Sequence, residues 1–88
     1  MRQVHIYIFG NVQGVFFRKQ VKELADKLSL KGFVQNVDNK VEVVAQGDED
    51  HIADLMSFCL KGPKGAKVKN LDYNDEELDE FEGFEIVL

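Results

Sequence analysis

Residues 3–28 read QVHIYIFGNVQGVFFRKQVKELADKL, and the spacing of the apolar residues changes within this stretch. Up to Phe9, valine and isoleucine occupy every second position, which is the period of a β-strand. After the loop that begins at Gly10, apolar residues recur at the spacing of an amphipathic helix over about 16–28. That apolar stripe consists of Phe17, Val21, Leu24, Ala25 and Leu28. The stretch therefore predicts a strand, a glycine-bounded loop and a helix.

The rest of the chain predicts four more strands and a second helix. Asp38-Asn39 joins two of these strands, because both residues tolerate the left-handed backbone angles of a tight hairpin. The acidic residues 48–50 start the helix, and Gly62-Pro63 ends it. The acidic run 72–77 is interpreted as a solvated, mobile connection. The four strands are predicted over 32–37, 40–46, 66–73 and 84–88.

This order of elements, βαββαβ with an extra terminal strand, predicts the fold class. Two helices follow separate strands and one hairpin lies in the middle, which suggests two crossover units that close one sheet. We therefore expect an α+β, ferredoxin-like sandwich with an antiparallel sheet and two helices on one face. The chain length suits one domain over 1–88. Such a fold hosts enzymes, metal carriers, regulatory domains and RNA binders, so it does not decide the function.

Charge narrows the classes of function. Residues 1–71 carry eleven basic and eight acidic side chains, whereas residues 72–88 carry eight acidic and no basic ones. This balance argues against a nucleic-acid partner, because affinity for the phosphate backbone comes from Lys and Arg. An RNA-recognition domain has the same order of elements, but it stacks bases on aromatic residues of its central strands. The predicted strand 40–46 contains no aromatic residue.

The cysteine count and the hydropathy bear on the compartment. Cys59 is the only cysteine, so no intrachain disulfide can form, and the composition suits a reducing cytoplasm. No apolar run approaches the ~20 residues needed to cross a bilayer, and no export signal is visible. We expect a soluble, cytoplasmic monomer without a membrane partner.

Residues 10–18, GNVQGVFFR, suit an anion-binding site. Backbone N–H groups of such a loop and of a first helical turn lack internal partners and can converge on an anion, helped by the helix dipole. Arg18 would reach back over the loop and present its guanidinium to the same anion. On these residues alone an ordinary connection stays open, in which Gly10 and Gly14 only turn the chain. Neither the dinucleotide-binding pattern nor the P-loop pattern is present.

Two motifs give the chain a resemblance to a known family. Residues 10–18 follow the pattern G-x-V-Q-G-V-x-F-R, which resembles the acylphosphatase signature at every defined position. Residues 32–36, GFVQN, are similar to the second motif of that family, and the spacing between the motifs also fits. The resemblance extends over nearly the whole chain. The turn at 37–40 departs from it, being one residue shorter and without the usual glycine, which we expect to alter local stability before activity.

The resemblance implies an enzyme that hydrolyses the carboxyl-phosphate bond of small-molecule acyl phosphates, with no metal and no cofactor. It implies that loop amides and Arg18 bind the phosphate group, or inorganic phosphate in its place. It also implies that Asn36 positions the attacking water, while the phosphate of the substrate takes the proton. The implied phosphate-binding residues are Gly10, Asn11, Val12, Gln13, Gly14, Val15 and Arg18, and the implied catalytic residues are Arg18 and Asn36.

The alternative function is a non-enzymatic module that holds phosphate or carbamoyl phosphate for a larger partner. Asn36 argues against it, because a pure anion binder needs no group that positions water. Among the other polar residues, Cys59 lies on the apolar stripe of the second helix and is interpreted as a buried structural thiol. His51 and Asp54 are only two ligands, which do not make a metal site. His5 is expected opposite the core face, and no Ser-His-Asp arrangement is predicted.

Overall fold

The computed structural model describes residues 1–88. Its elements follow the predicted order, and their bounds agree with the predicted ones to within a few residues, except in the fourth strand. The elements are β1 (Arg2–Asn11), α1 (Phe17–Lys27), β2 (Lys31–Val37), β3 (Lys40–Gly47), α2 (Glu49–Lys61), β4 (Lys67–Glu76) and β5 (Phe84–Val87).

The strands form one sheet in the order β4-β1-β3-β2-β5. β1 runs antiparallel to β3 and to β4, and β2 runs antiparallel to β3, so the ferredoxin-like α+β class is confirmed. β5 pairs parallel with β2, with Gly32 opposite Phe84, so the sheet is mixed where a wholly antiparallel one was expected. The path of the chain explains this. Glu76 at the end of β4 and Lys31 at the start of β2 lie at the same end of the sheet, so a strand that starts there runs parallel to β2.

Both helices pack on one face of the sheet, as predicted. Val4, Ile6 and Ile8 of β1 are fully buried on that face, while His5 and Tyr7 between them lie on the other face. The helices add their apolar stripes to the same core, namely Phe17, Val21 and Ala25 of α1 and Ile52, Leu55 and Cys59 of α2. The other face of the sheet carries no helix. Neither helix is long and apolar enough to pass through a membrane.

β4 continues through most of the acidic run that was predicted to be a mobile connection. The strand ends at Glu76 and pairs with β1 from end to end, so the prediction of a connection is wrong for residues 72–76, of which 72 and 73 were also predicted as strand. The acidic side chains find partners on β1, because Asp75 accepts a hydrogen bond from Arg2 Nε at 2.6 Å and Glu76 accepts one from Gln3 Nε2 at 2.9 Å. The charges of β4 are exposed and partly paired, which a pattern read from β4 alone does not reveal.

The turn between β2 and β3 has the predicted two residues. Asp38 adopts a left-handed backbone with φ of 53°, and Val37 pairs with Lys40 on either side of the turn. The register is continuous from Lys31 to this turn, and Asn36 lies opposite Val41. The shortened turn therefore leaves Asn36 on the same side of β2 as buried Val34, facing the helices.

Candidate active site

The loop between β1 and α1 depends on glycine at two positions for different reasons. Gly10 has φ of 132° at a bulge between β1 and β4, and a Cβ atom there would lie 2.2 Å from the carbonyl oxygen of Lys67. Gly14 has φ of 75°, but no other heavy atom lies within 4 Å of the place a Cβ would take. Gly10 thus permits close packing of the backbone, whereas Gly14 allows a left-handed turn beside open space.

The loop is fixed to the core mainly by the side chain of Val12. Val12 is 1% exposed and belongs to the core cluster, although it lies outside any strand or helix. Phe16, the residue before α1, adopts a left-handed backbone with φ of 60°, and its ring is exposed. No side chain caps the start of α1, so the first-turn N–H groups have no side-chain acceptor from the helix cap.

Arg18 is the second residue of α1, as the motif predicted, and is half-buried. Its Nη1 donates a hydrogen bond to the carbonyl oxygen of Val87 in β5, at 3.3 Å. A guanidinium has five N–H donors in a planar fork, so this contact orients the group and leaves donors for an anion. The last strand therefore helps to place a side chain that belongs to the first helix.

Arg18 and Asn36 line the same cavity, although they belong to α1 and β2. The cavity has a volume of about 330 Å³ and contains the glycine of the loop turn, Gly14. Its full lining is Val12, Gly14, Phe16, Phe17, Arg18, Lys19, Asn36, Ile86 and Leu88. A cation, a loop with free N–H groups and a neutral amide thus meet around one space, which is an arrangement able to bind an anion and a water molecule side by side.

The other predicted loop residues lie next to this cavity. Gly10, Asn11 and Gln13 line a neighbouring depression of about 400 Å³ that also contains Asn39 and Lys69. Val15 packs against the core at its edge. The Gln13 side chain points toward the β2–β3 hairpin, where its Nε2 donates hydrogen bonds to backbone carbonyl oxygens. Because the side chain of Gln13 is used in these contacts, only its backbone N–H group is left to bind an anion.

Five residues of the cavity lining were not predicted as site residues, namely Phe16, Phe17, Lys19, Ile86 and Leu88. Lys19 directly follows Arg18 of the motif, so its charge could have been used to predict that it lies at the site. The apolar stripe predicted Phe17 as the buried ring, and the structure confirms it, but the pattern gave no role to the exposed ring of Phe16. The contribution of β5 depends on its parallel pairing at the edge of the sheet, which local sequence does not encode.

Two alternative sites fail on geometry. Cys59 is fully buried, and burial raises the pKa of its thiol to about 12, so the interpretation as a structural thiol is confirmed. His51 and Asp54 do not belong to any group of three or more potential metal ligands, because the structure contains no such group.

A polar cluster lies on the helix-free face of the sheet, away from the cavity. His5 Nδ1 is 2.7 Å from Glu76 Oε2, and His5 Nε2 is 2.5 Å from Glu42 Oε2. Burial alone would lower the pKa of His5, but the hydrogen bonds and charges of Glu76 and Glu42 outweigh it and raise that pKa above 6.5. For Glu42, burial is outweighed by hydrogen bonds from Gln35 and His5, so its pKa is lowered.

The chain is similar to known proteins over its whole length. The family model named Acylphosphatase matches residues 4–86. An acylphosphatase of Pyrobaculum aerophilum is 40% identical over 90 residues, which cover 99% of this chain and 95% of the relative. The crystal structure of acylphosphatase from Bacillus subtilis matches with a TM-score of 0.95 and 34% identity, over 100% of both chains. The crystal structure of full-length HypF in the phosphate- and nucleotide-bound form matches with a TM-score of 0.92 and 32% identity, over 98% of this chain and 12% of that one.

Proposed function

Because this chain belongs to the acylphosphatase family and hydrolyses acyl phosphates, we propose that its active site is the cavity between the β1–α1 loop, Arg18 and Asn36. The observation that carries this proposal is that Arg18 and Asn36, from different elements, line one cavity together with Gly14. The neighbouring depression at Gly10 and Gln13 contains neither Arg18 nor Asn36.

The phosphate group of the substrate is held by the loop and by Arg18. In this proposal, backbone N–H groups of the β1–α1 loop and of the first turn of α1 bind the phosphate at the positive end of the helix dipole. Arg18 adds a charge-assisted contact, which spreads over two phosphate oxygens because the guanidinium is a planar fork. As phosphoryl transfer proceeds, charge accumulates on the equatorial oxygens, where these donors stabilise it most.

Asn36 holds the water that attacks phosphorus. Its side-chain oxygen accepts a hydrogen bond from the water and aims a lone pair of the water at phosphorus. The water oxygen forms a bond to phosphorus while the bond from phosphorus to the acyl oxygen breaks, and the carboxylate leaves with the electron pair. A carboxylate is a good leaving group and needs no acid. The neutral amide of Asn36 is a poor base, so the proton of the water passes to an oxygen of the phosphate.

The acyl part of the substrate lies against the apolar side of the cavity. Phe16 presents an exposed ring there, and Ile86 and Leu88 of the last segment complete the apolar lining. The side chains of Phe16, Ile86 and Leu88 carry no hydrogen-bond donor, so they distinguish substrates by apolar contact, and Lys19 is the cationic side chain that lines the cavity with them.

The same proposal includes a cytoplasmic monomer that works as one domain and needs neither a metal nor a cofactor. One cluster of 16 buried residues joins the sheet and both helices, which supports a single folding unit. The single buried cysteine suits a reducing compartment. The proposed reaction involves no nucleic-acid or membrane partner.

The second candidate function is an anion-binding module without turnover. It is favoured by the similarity to a short part of HypF, a protein whose crystal structure is described as phosphate- and nucleotide-bound. Turnover of an acyl phosphate by the purified chain separates the two functions, since a binding module retains phosphate affinity and releases no product.

Titration with inorganic phosphate, followed by the amide resonances of isotope-labelled protein, tests the proposed phosphate site. We expect the largest shifts in residues 10–15 and in the first turn of α1, and none of comparable size with chloride at the same ionic strength. Shifts that are confined to another surface, such as the groove of Arg2 and Tyr73, would exclude the loop as the phosphate site.

A further inference from the structure

We propose that the side chain of Gln13 is a positioning residue that holds the β2–β3 hairpin, and with it Asn36, at a fixed place relative to the phosphate loop. The inference rests on the proposed function, because it uses the roles given there to the loop and to Asn36. Gln13 acts from the loop side, through contacts that its side chain makes with the hairpin backbone and not with the substrate.

The contacts of Gln13 span the turn of the hairpin. Its single side-chain nitrogen donates to the carbonyl oxygen of Asp38 at 2.9 Å and to that of Lys40 at 3.0 Å. Both N–H groups of the amide are thereby used, one on each side of Asn39. Two bonds from one planar group fix the orientation of the hairpin tip as well as its distance from the loop.

The loop end of this connection is rigid because of the residue next to Gln13. Val12 is 1% exposed and packs in the main core. Gln13 is attached directly to that buried residue and is itself half-buried. The amide of Gln13 therefore extends from a well-packed point, not from a freely moving loop.

The tip of the hairpin, Asp38 and Asn39, has little other support. Lys40 is held more firmly, because it pairs with Phe9 of β1 and its ammonium group lies near the rings of Tyr7 and Phe9. Asp38 and Asn39 are exposed, and the only ion pair at the turn, Lys40 with Asp38, joins two residues of the hairpin itself at 3.5 Å. Asp38 also holds the left-handed conformation of a turn without glycine, with φ of 53°. Asn36 lies two residues before this turn, so movement of the tip is transmitted to it along β2.

The reaction needs this relative placement because the two reactants are held by different elements. The phosphate lies on the β1–α1 loop, and the water lies on β2. Displacement of a positioned reactant by about 1 Å can reduce a rate by roughly 100-fold. The contact of Gln13 with the hairpin should therefore affect the rate of the chemical step more than it affects the affinity for phosphate.

The test compares Gln13→Ala and Gln13→Met with Gln20→Ala and Gln20→Met. Methionine keeps the size of glutamine but has no N–H donors, so it separates hydrogen bonding from packing. Gln20 is exposed on α1 and serves as the matched control. For both Gln13 variants we expect kcat for an acyl phosphate to fall about tenfold or more, with the inhibition constant of inorganic phosphate within about twofold of wild type. The Gln20 variants should retain both values.

The same substitutions in an Asn36→Ala background show whether Gln13 acts through Asn36. We expect Gln13→Met to lower kcat little further there, because the group that it positions has been removed. Three results would overturn the inference. The loss of kcat could be equal in both backgrounds, kcat could be unchanged in the single Gln13 variants, or the phosphate inhibition constant could rise enough to account for the loss. The single variant Asn36→Ala tests the proposed function separately. If it leaves kcat unchanged, the proposed role of Asn36 is wrong, and the inference about Gln13 is wrong for that reason.

Discussion

At the scale of single residues, the site has two polar side chains with different properties, the charged Arg18 and the neutral Asn36. Arg18 brings a positive charge to the cavity and is oriented by the carbonyl oxygen of Val87. Asn36 is neutral and half-buried at the same cavity, where a carboxylate would repel the phosphate of the substrate. This difference predicts different kinetic effects when each side chain is removed.

Asn36→Ala should lower kcat more than it raises KM for an acyl phosphate. The partner of Asn36 is the attacking water, so its loss affects the transition state and leaves phosphate binding to the loop and Arg18. We expect kcat to fall by roughly 10- to 100-fold, with the inhibition constant of inorganic phosphate nearly unchanged. Asn74→Ala, on the exposed face of β4, is the matched control. A large rise in KM with normal kcat would show that Asn36 binds the substrate instead.

The sequence predicts the positions of these residues better than their side-chain partners. The motif placed Arg18 in a first helical turn and Asn36 on a strand, and both predictions are confirmed. The carbonyl partners of Gln13 could not be predicted, because they lie in a remote turn. Asp38, for example, is 25 residues from Gln13 along the chain. A side-chain donor can pair with any of many exposed carbonyl groups, and the folded structure determines which of them lies within hydrogen-bond distance.

At the scale of elements, the helix-free face of the sheet links three strands through a titratable cluster. His5 of β1 lies between Glu42 of β3 and Glu76 of β4. The stabilisation from raising the pKa of His5 is complete below its ordinary value of 6.5 and is lost as the pH rises through the folded value. The stabilisation from lowering the pKa of Glu42 is present above 4.5 and is lost as the pH falls through the folded value.

The cluster therefore contributes most to stability between these two ordinary values. We expect the melting temperature of the wild type to fall between about pH 6 and pH 8.5, and His5→Gln to remove part of this fall. His51→Gln, at the start of α2, keeps the histidine count equal and serves as control. Thermal unfolding at both pH values measures the effect. An identical pH dependence in wild type and His5→Gln would show that the cluster does not contribute.

The elements that were predicted less well are those whose partners are remote in sequence. The alternation of β1 and the stripe of α1 are local signals, and both elements are found where they were expected. β4 extends to Glu76 because β1 supplies partners for its acidic end, and β5 is parallel because of where β4 ends. Neither cause is visible in the residues of the strand concerned.

At the scale of the whole molecule, the charges are separated along β1. Asn11, beside the loop, pairs with Lys67, and Gln3, at the other end of the strand, pairs with Glu76. These ends are about 26 Å apart, since a strand rises about 3.3 Å per residue. The screening length at physiological salt is about 8 Å, so the acidic end of β4 has little influence on an anion at the loop. The part of the net charge of −5 that lies at this end of β4 thus does not oppose an anionic substrate at the loop.

The most direct test of the active-site assignment is the hydrolysis of benzoyl phosphate by wild type, Arg18→Ala and Arg2→Ala, each with a metal chelator present. Arg2 is the matched arginine control, because its partner is Asp75 at the acidic end of β4. We expect wild type and Arg2→Ala to release carboxylate and phosphate at the same rate with or without chelator, and Arg18→Ala to lose about 100-fold or more in kcat/KM. Normal activity in a folded Arg18→Ala protein would contradict the account.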